Sequence, residues 1–273
     1  MTEGFWCWSP RDVLEVTGAD AVSYLQSQLS QDITTLEVGG SAWSLVLEPT
    51  GKVGALVRVT RTGDREMVVD VDEGYGEEVR SRLDRFRIRV KAEVVLVPWR
   101  CIAVRGISAV PAPTDGTWMV PGWWDADAGA VDLLGPDPAA PDGVEGGDAA
   151  LLEAARIEVG WPAMGREITE QTIPAELGPL LDLAVSFTKG CYPGQELVER
   201  MDSRGASAPR QLRRLRSDVE PLPAGASVVV DGREVGRVTS AAGGLALALV
   251  GRAVEPGAEV QVDGVAAAVL ALR

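Results

Sequence analysis

Two Asp-Gly pairs, Asp231-Gly232 and Asp263-Gly264, each lie between short apolar runs in the last part of the chain. Such a pair readily takes the two positive φ angles of a type I′ turn, whose twist suits a two-residue hairpin. Flanked by "SVVV", "REVGRV", "AEVQV" and "VAAAVL", these turns predict a small antiparallel β-barrel over 213–273.

Upstream, periodicities of two and of 3.6 residues alternate. "GADAVSYLQSQLSQDI" puts Val22, Leu25, Leu29 and Ile33 on one helical face behind Asp20, a candidate cap. "SAWSLVLEPTGKVGALVRVTRTGDREMVVDVD" alternates as strands do and is cut at Pro49-Thr50-Gly51 and Thr62-Gly63-Asp64, which predicts three antiparallel strands. "EGYGEEVRSRLDRFRIR" sets Val79, Leu83 and Phe86 on a helix face, and "AEVVLVPW" reads as a buried strand. "RCIAVRG" and "TWMVPGWW" suggest further strands between Pro/Gly/Asp-rich loops, and "DAALLEAARIEVG" predicts a helix behind Asp148. The fold class expected is α+β, divided into an α+β unit at 1–98, a second at 99–186, a motif loop and helix at 187–212, and the barrel at 213–273.

Composition removes whole classes of chemistry. The chain has no histidine, so Ser/His/Asp and Cys/His nucleophile systems and His-containing zinc sites are not available within it. Forty acidic against 26 basic residues give a net charge of −14, which disfavours generic attraction to DNA. Cys7, Cys101 and Cys191 are widely spaced with no CxxC pair, which reads as reduced thiols and as no metal held by this chain alone. No apolar run is long enough to span a membrane and the first residues lack a signal-peptide pattern, so a cytoplasmic protein is expected.

One stretch concentrates what chemistry remains: "FTKGCYPGQELVER", residues 187–200. Pro193 suits a first helical turn, with Gln195 and Glu196 at its positive end. Gly205 is a plausible stop. Cys191 then falls just before a helix start and two residues after Lys189, and each feature favours a thiolate. The alternative is a small buried apolar residue in a turn. Gly190 and Gly194 allow close backbone approach. The arginine runs (Arg80 to Arg89 with Lys91, and Arg200 to Arg216) read either as solvated faces or as attractors of an anionic ligand or partner. Trp118, Trp123 and Trp124 read as packing residues.

"KGCYPGQE" resembles the signature of the YgfZ family, folate-binding proteins related in fold to the glycine-cleavage aminomethyltransferase. "GADAVSYLQSQLSQDI", with Gln26 and Asp32, is similar to that family's opening helix, and "ARIEVGWPAMGREITEQTIPAE" to the segment leading to a folate-contacting carboxylate, which falls on Glu176.

The resemblance implies two related, ferredoxin-like α+β units around a central cavity, followed by the barrel. It implies tetrahydrofolate as cofactor and a role in iron–sulfur cluster assembly or repair, with iron–sulfur assembly or client proteins as partners and a link to tRNA-modifying enzymes. Cys191 is its functional thiol and Lys189 the activator. Tyr192, Gln195 and Glu196 organise the loop, and Arg204 closes the site. Glu176, Gln26, Asp32 and Glu77 are the folate-side residues. In the transferases an aspartate usually stands where Cys191 does, and Glu77 is the nearest match to their catalytic aspartate. A folate-dependent aminomethyltransferase or demethylase and a non-catalytic adaptor remain alternatives.

Overall fold

A computed structural model describes residues 4–107, 109–113, 116–124, 129–203 and 208–272. Two compact units emerge, one of 1–49, 54–149 and 182–195, the other of 50–53, 150–181 and 196–273.

The first unit holds two five-stranded sheets. One contains β2 (Arg11–Thr17), β3 (Ser41–Leu47), β4 (Val53–Gly63), β5 (Glu66–Asp72) and β6 (Glu93–Val97), in the order β3-β4-β5-β2-β6. The other contains β1 (Phe5–Trp8), β7 (Arg100–Arg105), β8 (Trp118–Pro121), β9 (Val131–Gly135) and β10 (Glu145–Gly146), ordered β10-β1-β7-β9-β8. The expected strands at 41–72 are thus present. Two residues separate β1 from β2, yet the two strands serve different sheets. Helices α1 (Ala21–Gln28) and α2 (Gly76–Phe86) complete the unit.

Several local expectations change. Asp20 precedes α1 but makes no side-chain cap; its Oδ2 instead accepts the Lys91 amide at 2.8 Å. "AEVVLVPW" is not a buried strand: among the described residues β6 is the edge of its sheet, pairs only with β2, and leaves Val95 and Leu96 exposed. Phe86 closes α2 on the solvent side, because the helix buries only Val79 and Leu83 of the expected stripe.

Between the sheets, Val13 and Val68 pack against Cys101, Val120 and Leu134. An ionic network occupies the same interior. Arg58 of β4, fully buried, donates from Nε and Nη2 to Asp70 at 2.9 and 3.0 Å and from Nη1 to Asp132 of β9 at 2.6 Å. Arg11 donates to Asp70 at 2.7 Å, Arg105 donates to Asp132 at 2.8 Å, and the Trp43 ring lies 5.2 Å from the Arg58 guanidinium. Burial alone would raise the pKa of Asp132, but Arg105 and Arg58 outweigh it and hold the carboxyl below its ordinary range.

In the second unit, α3 (Ala149–Val159) precedes a closed barrel of β11 (Arg210–Arg216), β12 (Ser227–Val230), β13 (Arg233–Ala242), β14 (Leu245–Gly251), β15 (Glu259–Val262) and β16 (Val265–Leu270). Both Asp-Gly pairs have positive φ at each residue, 49° and 76° for the first, 49° and 85° for the second, as type I′ turns require. Val228, Val238, Val250, Val260, Val262 and Val269 fill the barrel, with alanines where strands approach closely. Buried Glu167 accepts from Arg156, Thr239 and Ser240, tying α3 to the barrel wall.

Replacing Arg58 by Met is expected to cost about 3–5 kcal/mol at pH 7, read from urea unfolding, because Asp70 and Asp132 lose their shared counter-charge. Asp132 has a depressed folded-state pKa, so the stability it contributes is present above the unfolded value of about 4 and lost as pH falls through the folded one. The gap between wild type and Arg58→Met should therefore narrow below about pH 4.

Candidate functional site

Helix α1 ends at Gln28, and the carbonyls of a helix end lack intrahelical partners. Lys189 meets them. Its Nζ donates to the backbone oxygens of Gln26, Leu29 and Gln31 at 2.7, 2.7 and 2.9 Å. An ammonium has three N–H bonds, and all three are engaged here. Burial lowers the Lys189 pKa to about 8, with Asp32 pulling in the opposite direction.

The residues around this anchor are bonded to one another. Gln26 Nε2 donates to Asp32 at 3.1 Å, and its Oε1 accepts the Ile33 amide at 3.0 Å. Asp32 also accepts the hydroxyl and amide of Thr34, which with Gln26 and Lys189 hold its pKa below the usual carboxylate range. The chain arriving at Lys189, after α4 (Leu180–Ala184), is fixed along the same turn. Ser30 Oγ donates to Ala184 O at 2.6 Å, and Gln31 Nε2 to Leu183 O at 2.8 Å. Beyond the lysine, buried Tyr192 sets its ring 5.4 Å from Nζ, and its amide donates to Gln195 Oε1 at 3.0 Å.

Cys191 lies on this short span between two fixed points, and its thiol is free and exposed. Cys7 and Cys101 are 2% exposed; burial raises both pKa values, that of Cys101 to about 12. The helix after the motif, α5 (Gln195–Ser203), begins two residues later than the sequence suggests, because Gly194 takes a left-handed turn at φ 82°. Cys191 therefore precedes the helix by a full turn of loop. A Cβ on Gly190 would meet open space, so no close approach explains that glycine. Glu196 is exposed, and Arg204 and Gly205 lie outside the described residues.

Glu176 is in the other unit. It is 2% exposed, in the turn Pro174–Leu177, and its oxygens accept Arg210 Nε at 2.9 Å, Arg210 Nη2 at 3.2 Å and the Ile173 amide at 3.2 Å. Arg210, its partner, belongs to the second arginine run. Glu77 stands in the first turn of α2 with its side chain 63% exposed, bonded to Arg80 and Ser81, and Arg80 holds its pKa down. A cavity of about 210 Å³ beside Pro111, Pro113, Leu133 and Pro141 contains none of these residues. Among the described residues, no three His, Cys, Asp or Glu side chains gather as a metal ion would need, and no helix is long and apolar enough to cross a membrane.

Residues 210–271 match the family of CAF17 C-terminal β-barrel domains. The tRNA-modifying protein YgfZ of Vibrio vulnificus is 26% identical over 253 residues, covering 85% of this chain and 75% of its own, and that of Edwardsiella ictaluri is 28% identical over 241 residues, covering 79% and 71%. Along most of its length the chain is similar to these YgfZ proteins. An uncharacterized protein of Haemophilus influenzae is 29% identical over 196 residues, 71% of this chain and 67% of that one. The fold is shared with a transferase: the crystal structure of the glycine cleavage system aminomethyltransferase T from Bartonella henselae matches 99% of this chain and 86% of its own at a TM-score of 0.83 and 20% identity.

Two outcomes follow from this geometry. An aromatic disulfide reagent should titrate one thiol in the native chain and all three in urea. The unfolded chain keeps the Lys189 proton to about pH 10.4, so between pH 8 and that value it binds more protons than the folded state and stability from this group rises with pH. Urea midpoints of wild type should gain on those of Lys189→Met across that window.

Proposed function

We propose that this protein binds a tetrahydrofolate and supports the assembly or repair of iron–sulfur clusters, with Cys191 as its working thiol. Effects on tRNA modification then arise through the iron–sulfur enzymes that carry it out. The observation that carries the reading is an exposed, free thiol on a loop held by three Lys189 bonds on one side and by buried Tyr192 on the other. Support also comes from relatives described as tRNA-modifying and from the fold shared with an aminomethyltransferase.

Lys189 acts on the thiol by fixing the loop and through its charge, since its N–H bonds are already engaged. A cluster ordinarily takes four protein ligands, so one cysteine can hold or relay it only with ligands from a partner protein or a small thiol. Glu176 can accept a donor N–H from a pterin, but three of its roughly four acceptor positions are filled. Arg210, with its side chain 45% exposed, must turn aside for a paired contact. When bound, the folate supplies a one-carbon carrier; the chain's own part is to position it. Exposed Glu77, bonded to Arg80, is assigned no reaction.

Titration with tetrahydrofolate tests the folate half. Wild type should bind, Glu176→Ala should weaken binding at least about tenfold, and Arg210→Ala should retain it. Absence of binding to wild type removes the folate assignment. In cells lacking the native copy, Cys191→Ala should lower the activity of an iron–sulfur enzyme, whereas full activity with this variant favours the adaptor reading.

A further inference from the structure

The strongest charge anomaly on this acidic chain lies away from the motif loop. Residues 85–91 read Arg-Phe-Arg-Ile-Arg-Val-Lys, four cations and no carboxylate, in a chain of net charge −14. Arg87 is tied to Asp84 at 3.1 Å and to the Ala92 carbonyl at 2.7 Å, which folds the segment back onto the start of β6. Arg85, Arg89 and Lys91 are exposed and have no ion-pair partner among the described residues. Arg89 is held in the left-handed region at φ 59°, costly for a residue with a Cβ. In the preceding turn of α2, Arg82 is 5% exposed; its Nε has no hydrogen-bond acceptor among the described residues, and Glu48 stands 3.9 Å away.

Large apolar side chains are exposed along the same stretch of chain. Ile88 is 77% exposed, and Phe86, Val95 and Leu96 are each exposed as well. Among the described residues no strand pairs with the outer edge of β6, which leaves that edge for another chain.

We propose that this surface docks an extended segment of a partner protein in which acidic and aliphatic side chains alternate, and which adds as a strand to the free edge of β6. Alternation at period two matches both a strand and the run of cations and apolar residues beside it. A nucleic acid fits less well: the aliphatic residues give it nothing to stack on, and one face of Phe86 is covered by the Arg82 guanidinium at 4.1 Å. An anionic membrane would be opposed by the charge of the rest of the chain.

The test uses the full chain and a short labelled peptide alternating glutamate and leucine. Fluorescence anisotropy at low salt should register binding that weakens at least about tenfold in Arg85→Glu/Arg89→Glu, weakens similarly in Ile88→Ser, and falls with added salt. The same peptide N-methylated at alternate amides should not bind, since it cannot complete a strand ladder. These substitutions are on the surface, and an unchanged circular dichroism melt confirms that folding is intact. Equal binding of the N-methylated peptide overturns the proposal, as does equal or tighter binding of oligothymidylate or of anionic vesicles. So does an Arg85→Glu/Arg89→Glu variant that self-associates while wild type ignores the peptide, because the cations would then serve only to guard the edge.

Discussion

The Arg58 guanidinium is the point at which the first unit is joined. It stands on one sheet, bonds Asp70 on that sheet and Asp132 on the other, and is wholly screened from water. Apolar packing such as that of Val13 and Val68 against Leu134 tolerates a slide of one residue far better than a fork-shaped donor set does. Buried ion pairs add little net stability over an apolar core, since desolvation offsets the Coulomb gain. Their contribution here is geometric: the placement of the two sheets lets Arg58 bond Asp70 and Asp132 at once. Arg11 and Arg105 extend that placement outward to β2 and β7.

Lys189 does for the motif loop what Arg58 does for the sheets. A helix end presents unsatisfied carbonyls, and a single ammonium with three donors meets three backbone oxygens of the turn that ends α1. The loop is thereby positioned by backbone atoms, so its placement is insensitive to side-chain changes in α1. Cys191 gains a defined position while keeping its exposure. Fixing the loop and activating the thiol are separate tasks, and the lysine's bonding visibly serves the first.

The barrel was legible in the sequence because its information is local: Asp-Gly turns and period-two runs specify hairpins without reference to distant residues. So were the 41–72 strands and α2; α1 ends at Gln28, before Leu29 and Ile33 of its expected face, and buries Ala21, Tyr24, Leu25 and Gln28. What escaped was non-local. Arg58, in "GALVRVTRTG", lies at a strand position whose neighbours are buried, and a charge in an alternating strand is the one sign of a buried pair; its partner Asp132 is 74 residues away. Arg210 could not be matched to Glu176 for the same reason. The edge status of β6 depended on strand order, which an apolar run does not encode. The helix start at Gln195 turned on one glycine's φ. At the motif loop, Gln26, Asp32 and Lys189 were named from sequence and are bonded around one turn, while Glu176 and Glu77 are held elsewhere.

The placement of β1 bears on how this chain is made. Phe5 pairs with Arg105, 100 residues later, and also with Glu145, so β1 has no partner until β7 has been made. Lys189 then bonds backbone 163 residues behind it. The sheets of this unit can pair once β10 has been made, but the turn that ends α1 waits for the segment that carries the thiol. Separations of this size slow folding and leave strand edges exposed in the interval. A nascent chain halted before Lys189 would hold every strand of both sheets but leave the turn that ends α1 without its lysine donor, which makes the arrival of the motif loop the step that completes that turn.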